Sequence, residues 1–218
     1  MFRVKVALLS LAMPALVGGI VFASAGRTDL PAVWGVLAVL TTLCLAMAAF
    51  GDRDMVRERV RPGPGNRDRF TRPVGTVLLL THWALVGLDV RFGWTAVPWE
   101  VQVAGVAGYA GAMTVLFWAV YTNPFYSCVV RVQTDRGHHP IEAGPYRVVR
   151  HPGYAATLFG AFAGGLALGS FVALIPLAIL GVIFLRRTLL EDRMLQRELP
   201  GYAEYAQRVR SRLVVGVF

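Results

Sequence analysis

The chain has 218 residues, 56% of them hydrophobic and only 16% charged, and a formal net charge of +9. Soluble domains run at roughly 45–50% apolar and about 25% charged, so this composition excludes a water-soluble domain built around a large core. The apolar excess comes in long blocks that a polar surface would interrupt, which makes the bilayer the solvent.

In chain order, apolar stretches run from Val6 to Ala25, Pro31 to Phe50, Pro73 to Val90 and Pro98 to Val120. Each is near the roughly 20 residues needed to cross about 30 Å of hydrocarbon, which predicts four spans. The first follows Arg3 and Lys5 and ends in Ala23-Ser24-Ala25, as a secretory signal would, but it outruns a usual signal core and reads as a retained span. A fifth stretch, from Pro152 to Leu185, has no charge at all. At 1.5 Å per residue it extends about 51 Å, too long for one crossing, and it predicts a hairpin bent near Gly169 and Ser170.

The basic residues lie between these blocks rather than in a nucleic-acid-binding patch. With the N-terminus inside, 20 of the 22 Lys and Arg fall on the inner side, leaving only Arg27 and Arg91 outside. That asymmetry predicts both termini in the cytoplasm. Cys44 in an apolar run and Cys128 in a basic loop make neither a disulfide framework nor a metal site. The Arg57 to Arg72 loop, with Pro62-Gly63-Pro64-Gly65, reads as a basic linker contacting anionic headgroups. From Leu189 to Leu213 apolar residues recur every three or four positions, which predicts an amphipathic cytoplasmic helix interrupted near Pro200-Gly201, with Tyr202 and Tyr205 as interfacial aromatics. His82, inside the third span, reads as a packing residue.

Polar residues concentrate from Asn123 to Tyr154 and from Arg186 to Arg212, and a site would combine the two segments. Pro152 suits the first turn of a helix, leaving Arg150 and His151 at its mouth and Tyr154 about one turn further in. On the second segment Arg187 and Glu191 are spaced i, i+4 and share a helix face. His138, His139 and His151 have no diagnostic metal-ligand spacing.

The run Asn123-Pro-Phe125, Val130-Arg131-Val132-Gln133-x-Asp135-Arg136-Gly137-His138, Gly144-Pro145-Tyr146-Arg147-x-x-Arg150-His151-Pro152-x-Tyr154, then Arg187-x-x-x-Glu191-Asp192 and Gly201-Tyr202-x-x-Tyr205, resembles the isoprenylcysteine carboxyl methyltransferase family, more particularly its bacterial branch. The resemblance covers about the last 100 residues, and its Arg-His-Pro-x-Tyr element is shared across a superfamily that includes phospholipid N-methyltransferases. It implies a membrane enzyme that binds S-adenosyl-L-methionine on the cytoplasmic side of a bacterial inner membrane, with a lipophilic small-molecule or prenylated acceptor arriving from the membrane lipid. By the same resemblance Gln133, His138, Gly144, Pro145, Tyr146, His151, Tyr154 and Glu191 contact the cofactor. Arg150 and Arg187 bind the acceptor or the cofactor carboxylate, with Glu191 beside them in catalysis. Many relatives carry two glutamates where this chain has Glu191-Asp192. No metal and no nucleic acid enter this reading. Two other readings stay open at this level, an NADPH-dependent membrane reductase of the sterol-reductase type and a non-catalytic lipid-binding membrane protein.

The expectation is therefore an all-α integral membrane protein with four spanning helices, a C-terminal helical hairpin and cytoplasmic amphipathic helices. Residues 1–120 form its N-terminal four-helix transmembrane region and residues 121–218 its C-terminal cofactor-binding catalytic region.

Overall fold

In the computed structural model the described residues are 2–51, 54, 57–58 and 62–217, and they contain seven α-helices and no strand. The helices are α1 (Phe2–Ala25), α2 (Pro31–Phe50), α3 (Thr71–Phe92), α4 (Trp99–Thr122), α5 (Pro152–Ala167), α6 (Leu174–Glu198) and α7 (Tyr202–Arg208). Short 3₁₀ turns at Thr134–Arg136 and Gly144–Arg147 punctuate the connection between α4 and α5. Of the basic residues counted above, Arg53, Arg59 and Arg61 lie outside the described residues.

Helix limits follow the sequence signals closely. Pro31 occupies the first turn of α2, and Gly93 closes α3 with a left-handed residue whose N–H returns to the Asp89 carbonyl. Three helices, α2, α3 and α4, are long and apolar enough to cross a membrane. The apolar part of α1, Ser10–Ala25, is shorter than these. Large apolar side chains point outward all around the bundle, among them Leu16, Val77, Val103 and Ile179. Trp94 and Trp99 are exposed at one end and Phe50 and Tyr121 at the other, as interfacial aromatics are. The protein is an integral membrane protein by this surface, since in water such a skin would aggregate.

Packing within the bundle relies on close backbone approach. The α4–α5 contact is the most extensive between any two helices. A Cβ on Gly105 would stand 2.6 Å from the Ala167 nitrogen and 2.8 Å from the Ala163 oxygen. Lipid tails are as apolar as leucine, so helices in a bilayer gain by such tight van der Waals contact rather than by escaping water.

The expected hairpin is present. Its arms are α5 and the apolar first half of α6, and the chain turns through residues 168–173 with Gly169 at φ +82°. The tip is clasped to α3 and the loop after it: Ser170 donates its hydroxyl to Asp89 Oδ2 at 2.5 Å, and Phe171 donates its backbone N–H to Thr95 Oγ1 at 3.2 Å. Asp89, 1% exposed, is a carboxylate inside an apolar stretch that the sequence reading passed over. His82 is a satisfied packing residue as expected, with Nδ1 2.7 Å from the Ala173 oxygen at the hairpin turn. The 16 residues of α5 cover about 24 Å, so the tip reaches the end of α3 opposite the arginine-rich connections.

Two expectations about the last segment need correction. The amphipathic stretch does not start a new helix at Leu189; α6 runs unbroken from Leu174 to Glu198 and leaves the apolar zone as one rod. Tyr202 and Tyr205 are 4% and 1% exposed, not interfacial, and pack with Val130, Met194, Leu195 and Leu199 in a second core. Burial is possible because each hydroxyl has a partner, Asp192 Oδ1 for Tyr202 and the Tyr146 carbonyl for Tyr205. The interruption at Pro200-Gly201 is where the sequence placed it, and it folds α7 back onto this core.

Candidate functional site

The site grows from the mouth of α5. His151 precedes Pro152 and is held out of helical geometry at φ −125°, ψ 59°, as a residue before proline must be. The C-terminal strap then fixes it: Arg150 N–H donates to the Ser211 carbonyl at 3.0 Å and His151 N–H to the Arg212 carbonyl at 2.9 Å. Tyr154, three residues on, points along α5 toward α6 and is 8% exposed.

Around this mouth lies a narrow cleft of about 690 Å³ including its open entrance. Its walls come from the connection before α5, from α5 itself and from α6 and α7. Of the residues expected at a site, Gln133, His138, Tyr146, Arg150, His151, Tyr154 and Glu191 all line it. They belong to three separate stretches of sequence brought to one place.

Across the cleft the Tyr154 hydroxyl donates to Glu191 Oε2 at 2.6 Å and accepts from Arg187 Nε at 2.8 Å. Arg187 itself is 4% exposed and stands behind Tyr154 rather than in the cleft lining. Its other nitrogens reach Asp68 Oδ2 at 3.5 Å and the Cys128 carbonyl at 3.1 Å, which ties the connection before α3 to α6.

Asp192 organises the next layer. It is fully buried and accepts from Arg150 Nε and Nη2 at 2.8 and 2.9 Å, from Arg212 Nε at 2.9 Å and from Gln196 Nε2 at 2.8 Å. The Tyr202 hydroxyl at 3.2 Å and His151 Nε2 at 3.3 Å complete the cage. Burial alone would raise the Asp192 pKa, but hydrogen bonds from His151 and Arg150 outweigh it and hold the carboxyl well below the usual carboxylate range. Arg150 Nη1 also donates to the Val209 and Arg210 carbonyls at 2.7 and 2.8 Å. Four of the five guanidinium N–H groups are thereby engaged, so Arg150 braces the wall of the cleft.

Gln133 and His138 form the opposite wall. Gln133, 1% exposed, donates from Nε2 to the Phe125 carbonyl at 2.6 Å and accepts from Arg136 Nη1. His138 packs against Phe125 with ring centroids 4.5 Å apart and planes tilted by 32°, and its Nδ1 accepts the Gln133 backbone N–H at 3.2 Å. Burial, with His139, Arg131 and Arg136 nearby, pushes the His138 pKa down to about 4, so at neutral pH the ring is uncharged with its proton on Nε2. Tyr146 sits 6% exposed with its hydroxyl donating to the Ala119 carbonyl and accepting from Asn123 Nδ2, and burial pushes its pKa up.

Gly144 and Pro145, expected beside the cofactor, lie behind Tyr146 and do not line the cleft. Gly144 has φ +55°, and a Cβ there would meet Thr122 Oγ1 and Trp118 Nε1 at 3.0 Å, so the Gly-Pro pair seats the turn against the end of α4. Several lining residues were not singled out from the sequence, chiefly Phe125, Tyr126, Arg131, Tyr202 and Tyr205. Signals existed for some: Phe125, Arg131, Tyr202 and Tyr205 stand inside the motif run itself. Arg131 is held by Glu58, with Nε and Nη2 at 3.0 and 2.9 Å from the two carboxylate oxygens, a pairing across 73 residues that no local pattern announces.

Fold and cleft together define a helical integral membrane protein with a polar cleft at the arginine-rich end of its bundle. Residues 103–197, just under half of the chain, match the family described as the isoprenylcysteine carboxyl methyltransferase (ICMT) family. No curated protein matches the sequence. The matched residues contain α5, most of α6 and every expected site residue, whereas α1 to α3 lie outside the match.

Proposed function

We propose that the protein transfers a methyl group from S-adenosyl-L-methionine to a lipophilic acceptor at the cytoplasmic face of the membrane, with α1 crossing beside the three longer spans and both termini inside. The observation that carries this reading is the Tyr154–Glu191 contact in the cleft, 2.6 Å across two family elements 37 residues apart. Orientation rests on the 20 of 22 basic residues that fall on one side.

The donor set suits such a cofactor. Glu191 has one oxygen bound by Tyr154, and its other oxygen makes no hydrogen bond among the described residues, so it offers an acceptor for the hydroxyl or ammonium groups of an amino-acid nucleoside. Phe125, Tyr126 and Tyr154 supply aromatic surface for a base and for a sulfonium, which is attracted to ring faces as other cations are. Gln133, His138, His151 and Glu191 would hold the polar ends. When bound, S-adenosyl-L-methionine supplies an electrophilic methyl group whose transfer discharges the sulfonium.

The chain's own task is alignment and exclusion of water, because in-line displacement needs no covalent nucleophile. Arg150 keeps one Nη2 hydrogen beyond its four braced donors and would orient an anionic acceptor with it. Arg187 acts through Tyr154, fixing the hydroxyl that positions Glu191. A carboxylate acceptor is already ionised, whereas a thiol or amine would hand its proton to His151 or Glu191. Titration of the purified protein with S-adenosylhomocysteine and with NADPH tests the reading. Saturable binding of the first is expected, and binding of NADPH alone would overturn it.

A further inference from the structure

On the arginine-rich end, away from the cleft, the outer face of α6 carries a second recess of about 960 Å³ including its wide mouth. Four arginines surround it, Arg67, Arg186, Arg193 and Arg197, over a floor that includes Leu189 and Leu190. The recess is separate from the cleft, none of its four arginines lines the cleft, and its Leu190 and Met194 also pack in the second core beneath.

Two features of α6 bear on what it would hold. The first is charge. Arg67 is paired with Glu198, and Arg186 lies 3.5 Å from Asp68 Oδ1 and over the ring of Phe70. Arg193 and Arg197 have no acidic partner among the described residues, are exposed, and stand one turn apart on the same helix face. Like charges at i, i+4 repel, and an anion lying between them converts that repulsion into attraction. The second is continuity. Immediately before the recess the same face of α6 presents Ile175, Ile179 and Val182, exposed by 61%, 50% and 68%. The spacing 175, 179, 182, 186, 189, 193 advances by three or four residues at each step, so one uninterrupted stripe passes from bare aliphatic side chains into the arginine recess. Arg186 follows directly on Leu185, the last residue of the uncharged stretch, which puts the change from apolar to cationic at the depth where hydrocarbon gives way to headgroups.

A ligand complementary to this stripe has a long aliphatic part continuous with a compact anion. We propose that α6 carries a binding site for an anionic diacyl phospholipid, its acyl chain along Ile175, Ile179 and Val182 and its phosphate among Arg186, Arg193 and Arg197. Leu189 and Leu190 floor the site where the glycerol region would lie. Arginine suits the role because its planar fork binds phosphate oxygens in pairs. The site goes beyond the proposed methyl transfer and stands or falls independently of it.

Binding of phosphatidylglycerol and of phosphatidylcholine to the purified full-length protein, measured by native mass spectrometry and by thermal shift, tests the site. The wild type is expected to retain and be stabilised by phosphatidylglycerol in preference to phosphatidylcholine. Arg193→Gln with Arg197→Gln is expected to reduce that preference by about 25-fold, at roughly fivefold per arginine. The charge-matched control Arg147→Gln with Arg208→Gln, at exposed arginines outside the recess, is expected to keep it. S-adenosylhomocysteine affinity, read in parallel, is expected to be the same in the Arg193/Arg197 variant and the wild type. Equal loss in both double variants would reduce the effect to bulk positive charge and overturn the site. So would a wild type that does not distinguish the two lipids, or full competition by soluble glycerol phosphate.

Discussion

Tyr154 gives its hydroxyl hydrogen to Glu191 across 2.6 Å, and through that bond the first turn of α5 is latched to the part of α6 that has already left the apolar zone. Both residues line the same cleft, and Arg187 fixes the hydroxyl from behind. The latch gives the proposed methyltransferase site its clearest test. Glu191→Ala and His151→Ala are each expected to weaken S-adenosylhomocysteine binding at least about tenfold by calorimetry, the scale of one lost hydrogen bond to a charged group. Affinity unchanged in both variants would remove the site.

Asp192 is a structural centre, and its removal strands two buried or half-buried guanidinium groups, Arg150 and Arg212. Asp192→Ala is expected to cost about 3–5 kcal/mol, as breaking buried pairs does, and to lower the thermal midpoint by roughly 10 °C. Because the folded-state pKa of Asp192 is depressed, its contribution is complete at neutral pH and is lost only as pH falls below the ordinary carboxylate range. The midpoints of wild type and Asp192→Ala should therefore differ by a constant amount from pH 7 to pH 5 and converge in stronger acid.

His138 loses stability in the same direction, but in a window at higher pH. Its folded pKa of about 4 lies below the ordinary imidazole value of about 6.5, so between those pH values the unfolded chain binds a proton that the folded chain refuses. Stability from this group is expected to fall as the pH drops from about 6.5 to 4. His138→Gln should flatten that portion of a midpoint-against-pH curve, and an unchanged slope would show that the ring protonates freely in place.

Gly105 and Gly111 share α4 but not an environment. A methyl at Gly105 meets the α5 backbone within 3 Å, whereas one at Gly111 meets nothing within 4 Å. Gly105→Ala is expected to destabilise by about 1–3 kcal/mol through forced separation of α4 and α5. Gly111→Ala should be neutral or slightly stabilising, since alanine is the better helix former. Thermal midpoints in detergent compare the two directly.

Much of this architecture is legible along the chain because apolar length and proline or glycine punctuation are local properties. The limits of α2 coincide with the expected stretch, and the hairpin turns at Gly169 and Ser170. The two arms of the cleft were legible as motif-bearing polar segments. Asp89 escaped notice because one acid in eighteen largely apolar residues barely changes their hydropathy, and its meaning lies in Ser170, 81 positions away, which only the folded hairpin brings to it. Tyr202 and Tyr205 were misread for a related reason: an aromatic with a hydroxyl suits a membrane interface and a hydrogen-bonded core equally well.

Composition and periodicity alone determined that this is a helical membrane protein and where most of its apolar helices run, because apolar length is a local property. Tertiary structure alone decided what the charged side chains do. Arg150, Arg187 and Arg131 look alike in sequence, yet each is committed by an acid 42, 119 or 73 positions away. A charge leaves water only when a partner meets it, and partners so distant are chosen by the packing of helices rather than by the order of residues.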